Sequence, residues 1–165
     1  MVAPRVRLAL LGTTNVGKTQ ILRRYVSGDF SEERNTTIGL DFANIDVEQR
    51  DGRVIKTQLW DTAGDERYQP MSPDHLFSTC HGFVLVFDLS CLSSFAYIQT
   101  RLDTSTGQKP APTLLLGNKL DQPREVSFEV ACQFAQTHSL LYEEVSAKTC
   151  YNLLPALTRF IHGFF

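Results

Sequence analysis

The chain has 165 residues, enough for one domain around a single sizeable core. Its 42% hydrophobic and 21% charged residues exclude a disordered chain. Lys and Arg number 16 against 18 Asp and Glu, and the resulting net charge of −2 excludes a broad nucleic-acid surface, which needs a basic excess.

In chain order, residues 5 to 11, RVRLALL, read as a buried strand. The loop GTTNVGKT, residues 12 to 19, follows, and TQILRRYVSG then has helical character and closes at Gly28. Residues 39 to 50 and 53 to 60 alternate on either side of Asp51-Gly52, a hairpin signal. The runs GFVLVFD, 82 to 88, and TLLLG, 113 to 117, are continuously apolar and predict strands covered on both faces. SSFAYIQTRL between them has helical spacing, as do residues 125 to 137. LLYEEVS reads as a further strand, and NLLPALTRFIHGFF as a closing helix with Pro155 tolerable only in its first turn. The alternation predicts a three-layer α/β fold, with a mostly parallel sheet and helices on both faces. Ligands of such sheets bind beyond the carboxyl ends of the strands.

Several exclusions accompany this pattern. Cys80, Cys91, Cys132 and Cys150 have no metal-ligand spacing and read as reduced thiols of a cytosolic protein. No apolar run is long enough to span a bilayer, and MVAPRVRLALLG is not a signal peptide.

Four motifs fall just after strands. GTTNVGKT fits G-x-x-x-x-G-K-[ST] and opens a helix, the context in which that motif binds phosphate. Gly12 and Gly17 let the backbone curl so that N–H groups face phosphate oxygens. Lys18 brings a point charge and Thr19 a hydroxyl for Mg²⁺. In WDTAG, residues 60 to 64, Asp61 is placed to hold Mg²⁺ and Gly64 to offer its N–H to a γ-phosphate. NKLD, 118 to 121, places a carboxylate, Asp121, that would accept from the adjacent N–H and NH₂ of guanine and disfavour adenine if buried. SAK, 146 to 148, offers a backbone N–H for the guanine O6.

Together these motifs resemble the Ras-superfamily small GTPases over essentially the whole chain. TIGLDF, 37 to 42, and TQLWDTAGDERY resemble the Rab group in particular. The resemblance implies a P-loop GTPase fold of six strands and five main helices, a G domain spanning residues 1–165, GTP and GDP as ligands and Mg²⁺ as cofactor. Carried over by position, Gly12, Thr14, Asn15, Val16, Gly17, Lys18, Thr19 and Gln20 line the phosphates. Phe30, Asn118, Lys119, Asp121, Ser146, Ala147 and Lys148 surround the base. Thr19, Thr37 and Asp61 serve the metal, and Gly64, Asp65 and Lys18 the hydrolytic step. The polar segments 29 to 38 and 65 to 74 are expected to be ordered only by a γ-phosphate. The implied partners are effector proteins, which would meet Phe42, Trp60 and residues around 65 to 76, an exchange factor and a GTPase-activating protein. The chain would act as a monomer.

The sequence also departs from that pattern. Thr14 and Asn15 stand where relatives carry smaller residues, and Thr14 crowds the γ-phosphate region. Asp65 stands where the family has the Gln that orients the attacking water. His75-Leu76 replace a tyrosine pair. No variable tail or lipidatable cysteine follows the last helix, so the chain is expected in the cytoplasm. It would reach the cytosolic face of an endomembrane only if the native protein carries a prenylated tail. Two alternatives to a slow GTPase stay open: a Rab-like binding module with negligible hydrolysis, and a P-loop kinase for a small molecule, against which NKLD and SAK argue.

Overall fold

A strand that is apolar at every position must be covered on both sides. In the computed structural model, which describes residues 4–28, 41–62, 75, 78–103 and 111–165, the two such runs are adjacent parallel strands inside a six-stranded sheet. The elements are β1 (Arg5–Leu11), α1 (Lys18–Ser27), β2 (Asp41–Glu48), β3 (Val54–Asp61), β4 (Gly82–Asp88), α2 (Leu92–Asp103), β5 (Thr113–Asn118), α3 (Phe128–Thr137), β6 (Leu141–Glu144) and α4 (Leu153–His162). The sheet order is β2-β3-β1-β4-β5-β6, and every pairing is parallel except the β2–β3 hairpin. Four of the five expected helices lie among the described residues.

Alternate residues of the central strands feed two cores, which makes the fold three-layered. Val84, Val86, Leu114 and Leu116 join Ile21 and Leu22 of α1 and Leu153, Leu157, Phe160 and Ile161 of α4. Their neighbours Leu85, Phe87 and Leu115 join Phe95 and Ile98 of α2 and Ala131 and Ala135 of α3 on the opposite face. Phe87 and Phe95 are fully buried with ring centroids 4.9 Å apart, and burying each such ring contributes about 2–3 kcal/mol. The helices of the first layer are also tied to each other and to the sheet. The Tyr25 hydroxyl meets Thr158 Oγ1 at 3.0 Å, and His162 Nε2 lies 3.1 Å from the Glu48 carbonyl.

Two boundaries differ from expectation. The helix expected from residue 125 begins at Phe128, because the N–H groups of Glu125 and Val126 both donate to the carbonyl of Leu89, the residue after β4. Ser127 then caps the helix by accepting from the Val130 N–H at 3.2 Å. The last strand ends at Glu144, two residues early, and Ser146 turns away to bridge Tyr151. Pro155 does lie in the first turn of α4. All four cysteines are free thiols of intermediate burial, and no described helix is long and apolar enough to cross a membrane.

Thr57, in the middle of β3, is buried, and its hydroxyl has no hydrogen-bond partner among the described residues. A buried hydroxyl left in that condition costs about 1–3 kcal/mol. Thr57→Val keeps the shape and the β-branching while removing the hydroxyl. It is expected to raise stability by about 1 kcal/mol, read as a higher denaturant midpoint at unchanged slope. A lower midpoint would contradict this.

Candidate nucleotide site

The parallel register brings the strand ends to one edge of the sheet: Leu10 pairs with Asp61, and Asp88 with Asn118. The loop between β1 and α1 is built at that edge. Gly17 has φ 99° and an added Cβ would strike the Asn118 side-chain amide, so only glycine fits. A Cβ on Gly12 would strike the Val86 carbonyl. Asn15 is also left-handed, at φ 67°. Lys18 is 5% exposed, and its Nζ donates to the Gly12 and Thr13 carbonyls at 2.8 and 2.9 Å. Burial pushes its ammonium down to about 8, with Asp61 opposing part of that shift. The loop is therefore a backbone cradle spanned by a desolvated cation, an arrangement suited to a polyanion.

Beside it, the Thr19 hydroxyl donates to Asp61 Oδ2 at 2.5 Å. Asp61 is buried at the end of β3, and the Thr62 hydroxyl secures that strand end by donating to the Leu10 carbonyl at 2.6 Å. A hydroxyl and a carboxylate are hard oxygen donors of the kind Mg²⁺ takes when it also retains waters and phosphate oxygens. The residues present therefore fit the cation.

The loops after β5 and β6 complete the edge. Buried Asn118 donates through Nδ2 to the Val16 carbonyl at 2.9 Å and accepts at Oδ1 from the Ala147 N–H at 3.1 Å. Its one side chain thus joins the phosphate-type loop to the SAK segment. Lys119, left-handed at φ 63°, donates to the Asn15 carbonyl at 2.6 Å and pairs with Asp88 at 2.8 Å. The Ser146 hydroxyl donates to Asp121 Oδ1 at 2.6 Å. Burial pushes the Asp121 carboxyl up, but hydrogen bonds from Ser146 and Gln122 outweigh it and hold the group below the usual range. The burial on which the argument against adenine was conditional is not present: Asp121 is exposed at the rim. The desolvation that makes a wrong base costly must then come from the base covering it.

The sequence model of the Ras family matches residues 7–163. The chain belongs to the Ras family. It is Rab-like within that family. Ras-related protein Rab-33A of Mus musculus is 35% identical over 147 residues, covering 86% of this chain and 62% of the relative. Ras-related protein Rab-19 of Mus musculus is 36% identical over 152 residues, covering 89% and 69%. The chain thus spans about two thirds of the length of these relatives.

In this Ras-family chain, Gly12 to Gln20, Asp61, Asn118, Lys119, Asp121 and Ser146 to Lys148 come together at one sheet edge. Phe30, Thr37, Gly64 and Asp65 lie outside the described residues, as does Leu76. Val16 enters the candidate set through its backbone alone, since its side chain is buried in the core. The N–H groups of Ser146 and Ala147 already donate to the Tyr151 carbonyl and to Asn118, so reading an O6 with either one needs sharing or exchange. Phe42 is 47% exposed and lies against Trp60 with ring centroids 5.0 Å apart. Asp88 was not among the sequence candidates, although it orients Lys119 and accepts from the Ser90 N–H and hydroxyl. Its signal was visible: it is the one charge that closes an otherwise apolar strand.

Proposed function

We propose that this chain is a guanine-nucleotide switch that binds GTP and GDP with Mg²⁺, hydrolyses GTP slowly and recruits effector proteins in its GTP form, in vesicle trafficking. The observation that carries this reading is the Asn118 bridge between the glycine loop and the SAK segment, with Asp121 beside it. A site for phosphate alone does not need a carboxylate held by Ser146 at its far rim. In this reading the loop amides and Lys18 bind the phosphates, and Asp121 accepts from the guanine N1–H and 2-amino group. Thr19 and Asp61 would hold Mg²⁺, which when bound supplies neutralising charge to the β- and γ-phosphates. Thr37 would join it in the GTP form. Exchange and activating proteins would set the state, and Phe42 and Trp60 would contribute to the effector surface. Membrane residence would depend on a lipidated tail. The test is competition of GTP and ATP for the purified chain, with identification of the nucleotide that co-purifies. Equal affinities would remove the reading.

Asp65 bears on how fast such a switch turns off. An ionised Asp is shorter than Gln and can only accept, so it cannot also donate toward a transferring phosphoryl group. Two unit charges about 5 Å apart at an effective dielectric of about 20 repel by roughly 3 kcal/mol, at most about two decades of rate. Asp65→Gln is therefore expected to speed single-turnover GTP hydrolysis, by less than that bound because cations and solvent screen the repulsion. Equal rates would show that position 65 does not set the lifetime, and no measurable turnover in either form would favour a binding module without hydrolysis.

A further inference from the structure

The SAK segment needs a support, because its turn is irregular. Cys150 and Asn152 are both left-handed, at φ 62° and 54°. One side is buttressed within the segment's own neighbourhood. The Asn152 amide donates to Glu143 and to the Glu144 carbonyl, and Arg159 donates to both Glu143 and Asn152. The other side is held from a distance in sequence. Arg24 of α1 donates through Nε to the Ala147 carbonyl at 2.8 Å and through Nη2 to the Lys148 carbonyl at 2.6 Å. Its Nη1 donates to the Gly28 carbonyl at 2.6 Å, while its own carbonyl accepts from the Gly28 N–H at 3.0 Å.

This guanidinium therefore spans three backbone carbonyls, on two segments more than a hundred residues apart. The planar fork is what makes that possible; an ammonium is a single point. Arg24 lies six residues after Lys18, about 9 Å along the helix. The helix that starts at the phosphate cradle thus fixes, somewhat under two turns later, the peptide groups on the base side. Ala147 is also the residue whose N–H is taken by Asn118, so the peptide groups on either side of it are both held.

We infer that Arg24 is a positioning residue for base recognition: by holding the peptide groups that follow Ala147 and Lys148, it keeps the 146–148 segment where it can read the C6 side of a purine. This deepens the guanine reading and rests on it. It predicts a loss that depends on the base. Arg24→Ala should weaken GDP by about tenfold or more, the scale of losing charge-assisted hydrogen bonds. It should weaken 2-aminopurine riboside 5′-diphosphate, which has no oxygen on C6, by about twofold or less.

The experiment measures the affinity of both diphosphates for the native chain, Arg24→Ala and Arg24→Lys, well below each melting temperature. Hydrogen exchange of the 147–149 amides is followed in the nucleotide-free proteins. The lysine variant keeps charge and stem but cannot span the three carbonyls. It should show the same base-dependent loss and faster exchange at 147–149, and it decides the matter if the alanine variant does not fold. Equal losses for the two ligands would place the effect at the phosphate end and overturn the inference. Unchanged GDP affinity with only a lowered melting temperature would reduce Arg24 to a helix cap and overturn it too. A native chain that binds no GDP would overturn the guanine reading along with it, whereas native binding with insensitive variants removes only the role of Arg24.

Discussion

Asp121→Asn is expected to lower GDP affinity by about two decades or more and to raise affinity for xanthosine diphosphate. The carboxylate accepts two donors side by side on guanine. An amide turns one of those acceptors into a donor, which faces the 2-amino group head-on. Losing a charge-assisted bond and opposing two donors costs about 3 kcal/mol or more. Xanthine carries a carbonyl at the same place and accepts from the new amide. The variant can keep the contact with Ser146, since an amide oxygen can take the place of Oδ1. The bond it gives up is the exposed one from Gln122. Paired titrations with the two diphosphates check this. Retained GDP preference with no gain for the xanthine ligand would mean that Asp121 does not read the base.

Lys18→Met is expected to act in opposite directions on binding and on stability. Nucleotide affinity should fall by about 100-fold or more, because a buried cation that faces a polyphosphate is lost. The nucleotide- and metal-free chain should become more stable. Burial pushes the folded ammonium from 10.5 to about 8. The unfolded chain therefore binds the proton more tightly, and a penalty of about 3 kcal/mol is fully present below pH 8. That penalty is lost as pH rises from about 8 to 10.5, so native stability should climb across this window while the methionine variant stays flat. Two hydrogen bonds to the Gly12 and Thr13 carbonyls are lost in exchange, leaving a net gain near neutral pH of about 1–2 kcal/mol. Denaturant titrations at several pH values separate the two contributions. A variant less stable than the native chain at every pH would refute the argument. In the native chain, GDP affinity should also fall above pH 8, because binding there must take up a proton.

Much of this was legible from the sequence where apolar pattern and position dictate it. β4 coincides with GFVLVFD and β5 with TLLLG plus Asn118, because a short, continuously apolar run suits a strand covered on both faces. The glycine loop was legible from its G-x-x-x-x-G-K-T spacing between a strand and a helix, and the fold supplies the reason for Gly17, where a Cβ would strike Asn118. What escaped was carried by backbone or by long reach. The start of α3 moved because Leu89 captures two N–H groups, a contact with no side-chain signature. Asp121 lies at the rim because Ser146, rather than an apolar wall, holds it. Arg24 follows another arginine on a helix and reads as solvated surface until the fold brings Ala147 and Lys148 to it.

The β2–β3 turn has a practical use. It is closed by the Gln49 N–H on the Arg53 carbonyl at 2.7 Å and by Asp51, which accepts from both the N–H and the guanidinium of Arg53. Gly52 has open space where a Cβ would point. Because β3 runs parallel to β1 and Asp61 marks its far end at the candidate site, this tip hangs from the opposite end of the sheet. It is therefore the natural attachment point for a fluorophore, an affinity peptide or a surface linker, since a graft there leaves the nucleotide edge facing solvent. An immobilised chain tethered at the tip would present its candidate site outward in every copy.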